Sequence, residues 1–559
     1  MRHVPLIIVA PLILTAAVLA CGGSSDAPTQ PVSEPKLSSV DIDAASSSIA
    51  VNGSVQLAAN TRDQNGNHIT VALAWSTSNN AIAVVDASGR VTAVATGTTV
   101  ITAAAGTGGA TVSKTISINV IPQWMGAQPP VNIMVNDPAK GRVPDITQAE
   151  PGIAVFGARI AVGWNDESIA FGETLRGIKR GVGYAYSIDG GATFRDMGTV
   201  GGANWGADPS LSVDRVGNFF FGRMDLVPGS ATSDRIAVFK SIDGGTTYSQ
   251  SATASDASQT NDKPTVVVDN TGSRFDGNVY VSWTLASGGL SIRFSRSTDG
   301  GQSFSPPLPF SGGANDQASI PAVGPDGEVY VIWFDQLSGE LFVRKSTDGG
   351  VSFAAPILVA TASHIGEIES ETAQYCGRVL KGSLRARSLP SISVDRSGGP
   401  NRGTAYVAFS SHGAGVDGSD VYITSSRDGG TTWSTPSRLN DDATTNDQWL
   451  PSVAVAPNGT VAVSWYDRRQ DDQNLLIDLF MTVSTNGGVS FGANRKISQV
   501  SFPPAGISRN LGFPPYTCYF SSYNSMTADL SNFYLVWTDN RGVRSSTIDP
   551  NIFFAKVPY

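Results

Sequence analysis

"STDGGQSFSPP", residues 297–307, decides how the rest of this chain is read. Asp-Gly-Gly between apolar runs signals a hairpin, because glycine adopts backbone angles that other residues resist. The chain then repeats it. "SIDGGATF" begins at Ser187, "SIDGGTTY" at Ser241, "STDGGVSF" at Ser346, "SRDGGTTW" at Ser426 and "STNGGVSF" at Ser484. Near-identical turns at intervals of this size predict one supersecondary unit used many times.

Working outward, each turn is preceded by a recurring apolar strand: "AVGWND" (161–166), "FFGRMD" (220–225), "YVSWTL" (280–285), "YVIWFD" (330–335), "YVAFSS" (406–411), "AVSWYD" (462–467) and "YLVWTD" (534–539). A further strand precedes each of these, as in "PSLSVD", "PTVVVD" and "PSISVD". Strand, turn, strand, loop, strand, Asp-Gly-Gly hairpin and last strand make a four-stranded antiparallel unit, and radial stacking of such units is a β-propeller. Seven units are counted, with six as the fallback. The seventh, "NSMTADLSNFYLVWTDN…NIFFAKVPY", ends after its third strand. An open edge is a liability, so "VNIMVND" (131–137) is expected to supply the missing strand and close the ring.

The repeated S-x-D-G-G-x-[ST]-[FWY] resembles the Asp-box, or BNR repeat, of the sialidase-like propellers. The Asp accepts N–H bonds from the glycine turn, the Ser locks it, and the aromatic packs into its own blade. Asn486 replaces the Asp in the sixth copy and still permits the turn. These aspartates are read as builders of blades with no part in chemistry.

Ahead of the propeller (125–559), residues 37–121 show short Val-, Ile-, Thr- and Ala-rich runs separated by Gly, Asn and Asp, the pattern of a small β-sandwich. "WSTSNNAIAVVDASGRVTAVATGTTVITA" closely resembles the bacterial Ig-like domain, group 2, mostly a spacer or adhesive module; Trp75 is read as core. The segment 1–20 carries Arg2 and an apolar run, the form of an export signal. "VLAC" resembles the lipobox of bacterial lipoproteins, which implies lipidation at Cys21, a polar tether over 21–36 and attachment to the bacterial envelope, at the outer membrane or cell surface. Export places Cys376 and Cys518, both in long links between blades, in an oxidising compartment, and they are expected to form a disulfide.

Bulk composition narrows the function classes. Formal net charge is −9, with 60 glycines and 15 % charged residues. An acidic chain without a basic cluster argues against nucleic acid, and the membrane is expected to be met through the lipid alone. A monomer is expected. The four histidines form no pair at metal-ligand spacing, and no Gly-x-Ser-x-Gly elbow appears.

Chemistry is expected on the face opposite the Asp-boxes, where several loops are long: 165–181, 466–478, 538–550, and the links 362–390 and 500–524. Glu150, Asp208, Asp262, Asp316 and Asp447 each sit just before an inner strand, with Arg385 and Arg387 near that place in the fifth blade. They predict a ring of side chains at the axis that could bind a cation or a basic group; turn capping is the plainer reading. No cofactor is otherwise required.

The sialidase resemblance implies an Arg triad for a substrate carboxylate, a Tyr nucleophile with a Glu partner, and an Asp acid/base. "YNSM" (523–526) is similar to the nucleophile's context and makes Tyr523 the candidate. Asp166 and Glu173 lie where the acid is kept, Glu369 or Glu371 would partner the tyrosine, and Arg468, Arg469, Arg541 and Arg387 would hold the carboxylate. The chain departs from the family at the first arginine: "GRVP" (141–144) lies before the strand, and "QAEP" (148–151) has no arginine. Two functions follow as expectations. One is an envelope-anchored, exo-sialidase-like glycoside hydrolase acting on terminal acidic sugars; the other is a non-catalytic propeller binding glycan or a protein partner.

Overall fold

The computed structural model describes residues 34–559 except 45–46, 52, 96, 108–109, 122–128, 141–147, 167–180, 203–205, 228–233, 257–258, 369–375, 414–417, 505–517, 519 and 545–546. Cys21, Glu173, Glu369, Glu371 and the "GRVP" segment fall outside the described residues.

The N-terminal body is a β-sandwich of two four-stranded sheets. One holds Leu37–Ala44, Ser54–Asp63, Arg90–Ala93 and Ala83–Val85 in that order; the other holds Ser48–Ala50, Ala110–Ile121, Gly97–Thr107 and Ala74–Thr77. Inward residues of both sheets, including Leu57, Val91, Ile101 and Ile118, make its core, and Trp75 packs against them.

The second body is a seven-bladed propeller. Six blades are consecutive four-stranded meanders, beginning with Gln148–Phe156, Gly206–Val213, Asn261–Val268, Asp316–Val323, Ser391–Val394 and Gln448–Val455. The seventh runs Ser525–Ala528, Asn532–Arg544, Thr547–Pro558, and takes its outer strand from Asn132–Met134. That strand pairs antiparallel with Phe553–Ala555, so the start of the domain closes its end. The core lies between blades. Trp164, Trp283, Trp465 and Trp537, each on the second strand of its blade, are fully buried there. Inner strands leave one edge without a sheet partner, and hydroxyls of the neighbouring blade serve some of its amides: Val266 and Val268 donate to Ser210 and Ser212, Val453 and Val455 to Ser391 and Ser393.

The Asp-box works as its chemistry dictates. In the first, the Ser187 hydroxyl donates to Asp189 at 2.7 Å and accepts from the Gly191 amide at 2.9 Å, while Thr193 donates to Asp189 from both its amide and its hydroxyl. Gly190 and Gly191 have φ of +71° and +90°, the left-handed region that selects glycine. The Thr193 hydroxyl and amide and the Ser187 hydroxyl hold the Asp189 carboxyl well below its ordinary value. Asn486 keeps the Ser484 and Ser490 bonds of the sixth box through its amide group.

Each box is also gripped by the blade before it. Arg159 donates to the Asp243 carbonyl, Lys240 to that of Gly300, Arg296 to that of Gly349, and Arg427 to that of Gly487, at 3.0–3.2 Å. Lys345 and Lys556 bring their ammonium groups against Gly429 and Gly190 in the same sense.

Candidate functional site

Five inner strands enter the axis through a β-bulge. In blade one, Ala149 faces Asn165 and Gly152 faces Gly163, so three steps match two on the partner strand. The same slip occurs in blades two, three, four and six. A bulge re-aims side chains and bends the strand. Its second residue is left-handed in every case: Glu150, Asp208, Lys263, Ala318 and Leu450 have φ between +44° and +58°. Five non-glycine residues in a sparsely populated region cluster at one end of the barrel of inner strands, which is where functional sites store strain.

This register corrects the expected acidic ring. Lys263, not Asp262, occupies the position equivalent to Glu150 and Asp208; Asp316 and Asp447 precede that position by two and three residues. Asp316 accepts the Gly313 amide, and Asp447 accepts Arg468 and Asn474. Glu150, Asp208 and Asp262 alone of the five line the mouth.

The mouth is a cavity of about 100 Å³ in which these three carboxylates meet Lys263, Arg385 and Arg387, with Gln317 and Tyr523 completing the wall. Among the described residues no group of His, Cys, Asp and Glu is arranged to hold a metal ion. Lys263 brings its own cation to the place where one was expected. Asn165 bridges the first two carboxylates, donating to Glu150 at 2.8 Å and Asp208 at 3.1 Å, while its carbonyl accepts the Asp208 amide. Gln317 donates to Asp262 at 2.8 Å and accepts from Arg387. The Lys263 ammonium sits 3.3 Å from the centroid of the Tyr523 ring. Burial pulls that ammonium down to about 8, against Glu150, Asp208 and Asp262, which favour its charge, and with Arg387, which opposes it. Beneath lies an axial channel of about 250 Å³ bordered by all seven inner strands; Lys263 and Tyr523 line both spaces and form the partition.

The long link between blades four and five delivers the arginines. It forms a small sheet of Glu367–Ile368, Arg378–Leu380 and Leu384–Arg385. Cys376 of this link and Cys518 of the link before blade seven are joined by a disulfide with Cα atoms 6.1 Å apart, and the Arg385 amide donates to the Cys518 carbonyl. The structure thus places Tyr523 and Arg387 in the lining of one cavity.

Other candidates sit elsewhere. Arg468 is fully buried, donates to Asp447 at 3.1 Å and lies over the Trp449 ring. Arg469 is held by Asp467 and Asp441, and Arg541 by Asp539 and Asn132. None of the three lines the mouth, because each is committed to a carboxylate of its own corner. Asp166 is buried and accepts the Trp164 indole N–H at 3.2 Å; Trp465–Asp467 and Trp537–Asp539 repeat that bond in blades six and seven. A bond repeated at equivalent places is structural, and Asp166 does not line the mouth. Sequence reading did not single out Lys263 or Gln317. The signal was "NDKP" at 261–264, a basic residue at the bulge position where two other blades are acidic.

Residues 37–116 match the bacterial Ig-like domain (group 2), which makes the first body a module of that kind. No curated protein sequence matches the chain. Among solved structures, the intramolecular trans-sialidase of Ruminococcus gnavus is similar at 11 % identity, covering 76 % of this chain and 97 % of that one, with a TM-score of 0.39. The α-L-arabinanase of Penicillium chrysogenum is similar at 12 % identity, over 77 % of this chain and 98 % of its own, with a TM-score of 0.39. YCF48 bound to D1 peptide stands at 12 % identity, 77 % and 96 %, also with a TM-score of 0.39. The fold assignment rests on the sheets themselves: an Asp-box β-propeller of seven blades that carries an Ig-like module ahead of it.

Proposed function

We propose that the mouth is the active site of an exo-sialidase-like glycoside hydrolase acting on terminal acidic sugars. The observation that carries this reading is the meeting of Tyr523, two guanidinium groups and three carboxylates in one cavity. Arg385 and Arg387 present N–H donors suited to a sugar carboxylate. Tyr523 is the nucleophile: its oxygen bonds the anomeric carbon as the glycosidic C–O bond breaks. Its phenolic proton passes to one carboxylate of the mouth, and a second, protonated one gives its proton to the leaving oxygen. Water then hydrolyses the tyrosyl–sugar bond. A tyrosine, uncharged until its proton is taken for the attack, suits an acidic sugar better than a carboxylate nucleophile, which the substrate would repel.

A panel of fluorogenic glycosides tests this. Tyr523→Phe is expected to abolish turnover of the acidic members while leaving their binding largely intact, because only the transition-state bond is lost. A second reading has its own observation. Asn165 and Gln317 already bond the three carboxylates of the mouth, which suits a propeller that grips glycan ends without moving a proton to cleave them. If wild type cleaves no acidic glycoside yet binds a glycan array in a manner lost in Arg387→Ala, the binding reading replaces the first.

A further inference from the structure

We propose that Lys263 sets the acidity of Tyr523: its ammonium, seated on the ring, favours the phenolate and makes Tyr523 a reactive phenol within the mouth. Only the use of that phenolate in turnover rests on the hydrolase reading above; the acidity itself does not.

Three observations support the assignment. The ammonium is 3.3 Å from the ring centroid, closer than any other cation–ring contact among the described residues. Lys263 is held there by backbone: it is the left-handed bulge residue of its strand, at φ +44°, and its amide donates to Asp208 at 3.2 Å. Its partner is likewise fixed by Ser521, which donates to the Tyr523 carbonyl; the hydroxyl's long bond to the Pro209 carbonyl at 3.4 Å favours the protonated phenol, and Lys263 acts against it. An opposite charge at this range favours the ionised form of a neighbouring acid.

The other charges facing the pair are Glu150, Asp208 and Asp262 from the inner strands, and Arg385 and Arg387 from the link. Counted as charged, three acids and three bases cancel, and Lys263 is the base that lies over the ring. Burial draws the ammonium down to about 8 although Glu150, Asp208 and Asp262 favour its charge, and a phenolate formed beneath it favours that charge in the same way. Lys263 acts through Tyr523 and is a positioning residue.

The test is nitration by tetranitromethane, which reacts with phenolate, read at Tyr523 by peptide mass spectrometry across pH 6–11 on the folded full chain. Wild type is expected to reach its half-maximal rate about one to two pH units below the ordinary tyrosine value near 10. K263M is expected to return the midpoint to 10 or above, and K263R to restore the low value, because it keeps the charge. K263Q serves as a second neutral variant should K263M fail to fold. A wild-type midpoint at 10, or identical profiles for wild type and a folded neutral variant, overturns the proposal. A low midpoint in a protein that turns over no acidic glycoside overturns the hydrolase reading and upholds this one.

Discussion

Replacing Arg468 by alanine removes one member of a fully enclosed ion pair. Arg468 has no exposed surface, and the Asp447 side chain is 3 % exposed. Burial already pushes the Asp447 carboxyl above its ordinary value, although Arg468 pulls it the other way. Without the guanidinium, an uncompensated buried carboxylate remains, which costs about 3–5 kcal/mol. For a propeller of roughly 430 residues the unfolding entropy is about 0.9 kcal/mol per kelvin, so the midpoint should fall by about 3–6 °C. Thermal unfolding followed by tryptophan fluorescence reads this. The sign of the pH effect is fixed: a folded-state value raised above the unfolded one, near 3.9, penalises folding most when pH lies above the raised value. The penalty fades as pH falls through the raised value and is gone only below about 3.9, where Asp447 is protonated in both states. The variant's deficit should therefore shrink between pH 7 and pH 4, and Arg468→Met combined with Asp447→Asn should recover most of it. A midpoint within about 1 °C of wild type, or a deficit indifferent to pH, refutes the reasoning and returns Arg468 to the list of ligand-binding residues.

Two further outcomes follow from the packing. Cys376→Ser opens a crosslink between residues 142 apart, and the chain-entropy account puts the loss at roughly 4–5 kcal/mol; reductant should lower the unfolding midpoint of wild type and leave that of the variant unchanged. Gly191→Ala places a Cβ 2.3 Å from the Phe554 ring at a backbone φ of +90°, and should destabilise the seam between blades one and seven by about 2–4 kcal/mol, measured by denaturant unfolding.

The fold was legible because its signals are local. A Ser, an Asp and two glycines within five residues dictate their own hydrogen bonds, and six copies expose the repeat and its count. The closing strand was legible for the same reason: a seventh unit lacking one strand demands a lender, and Asn132–Met134 supplies it. The site was harder, since it is built by a one-residue slip in strand register. Asp262 and Lys263 are neighbours in sequence, yet the bulge assigns them different places on the rim, and no periodic pattern announces which. Arginines misled in another way. Arg468, Arg469 and Arg541 lie in loops that look exposed, but each finds a side-chain oxygen from a different stretch of chain: Arg468 in Asp447, Arg469 in Asp441 and Arg541 in the Asn132 amide. Tyr523 was singled out by the resemblance in "YNSM" and Arg387 by its place before an inner strand; both line the mouth, whereas Asp316 and Asp447, placed on the same ground, do not.

The grip of each blade on the next blade's turn has a consequence for how such a molecule changes over generations. A basic side chain in one unit meets a main-chain carbonyl in the next, and a carbonyl is present whatever the residue. The joint asks nothing particular of the incoming repeat beyond its glycine bend. A copied or deleted repeat would thus find a ready socket on one side and offer one on the other, with no matched pair of side chains to be invented. So far as this contact goes, the number of repeats is set by ring closure, at the seam where residues 132–134 arrive beside Phe553–Ala555.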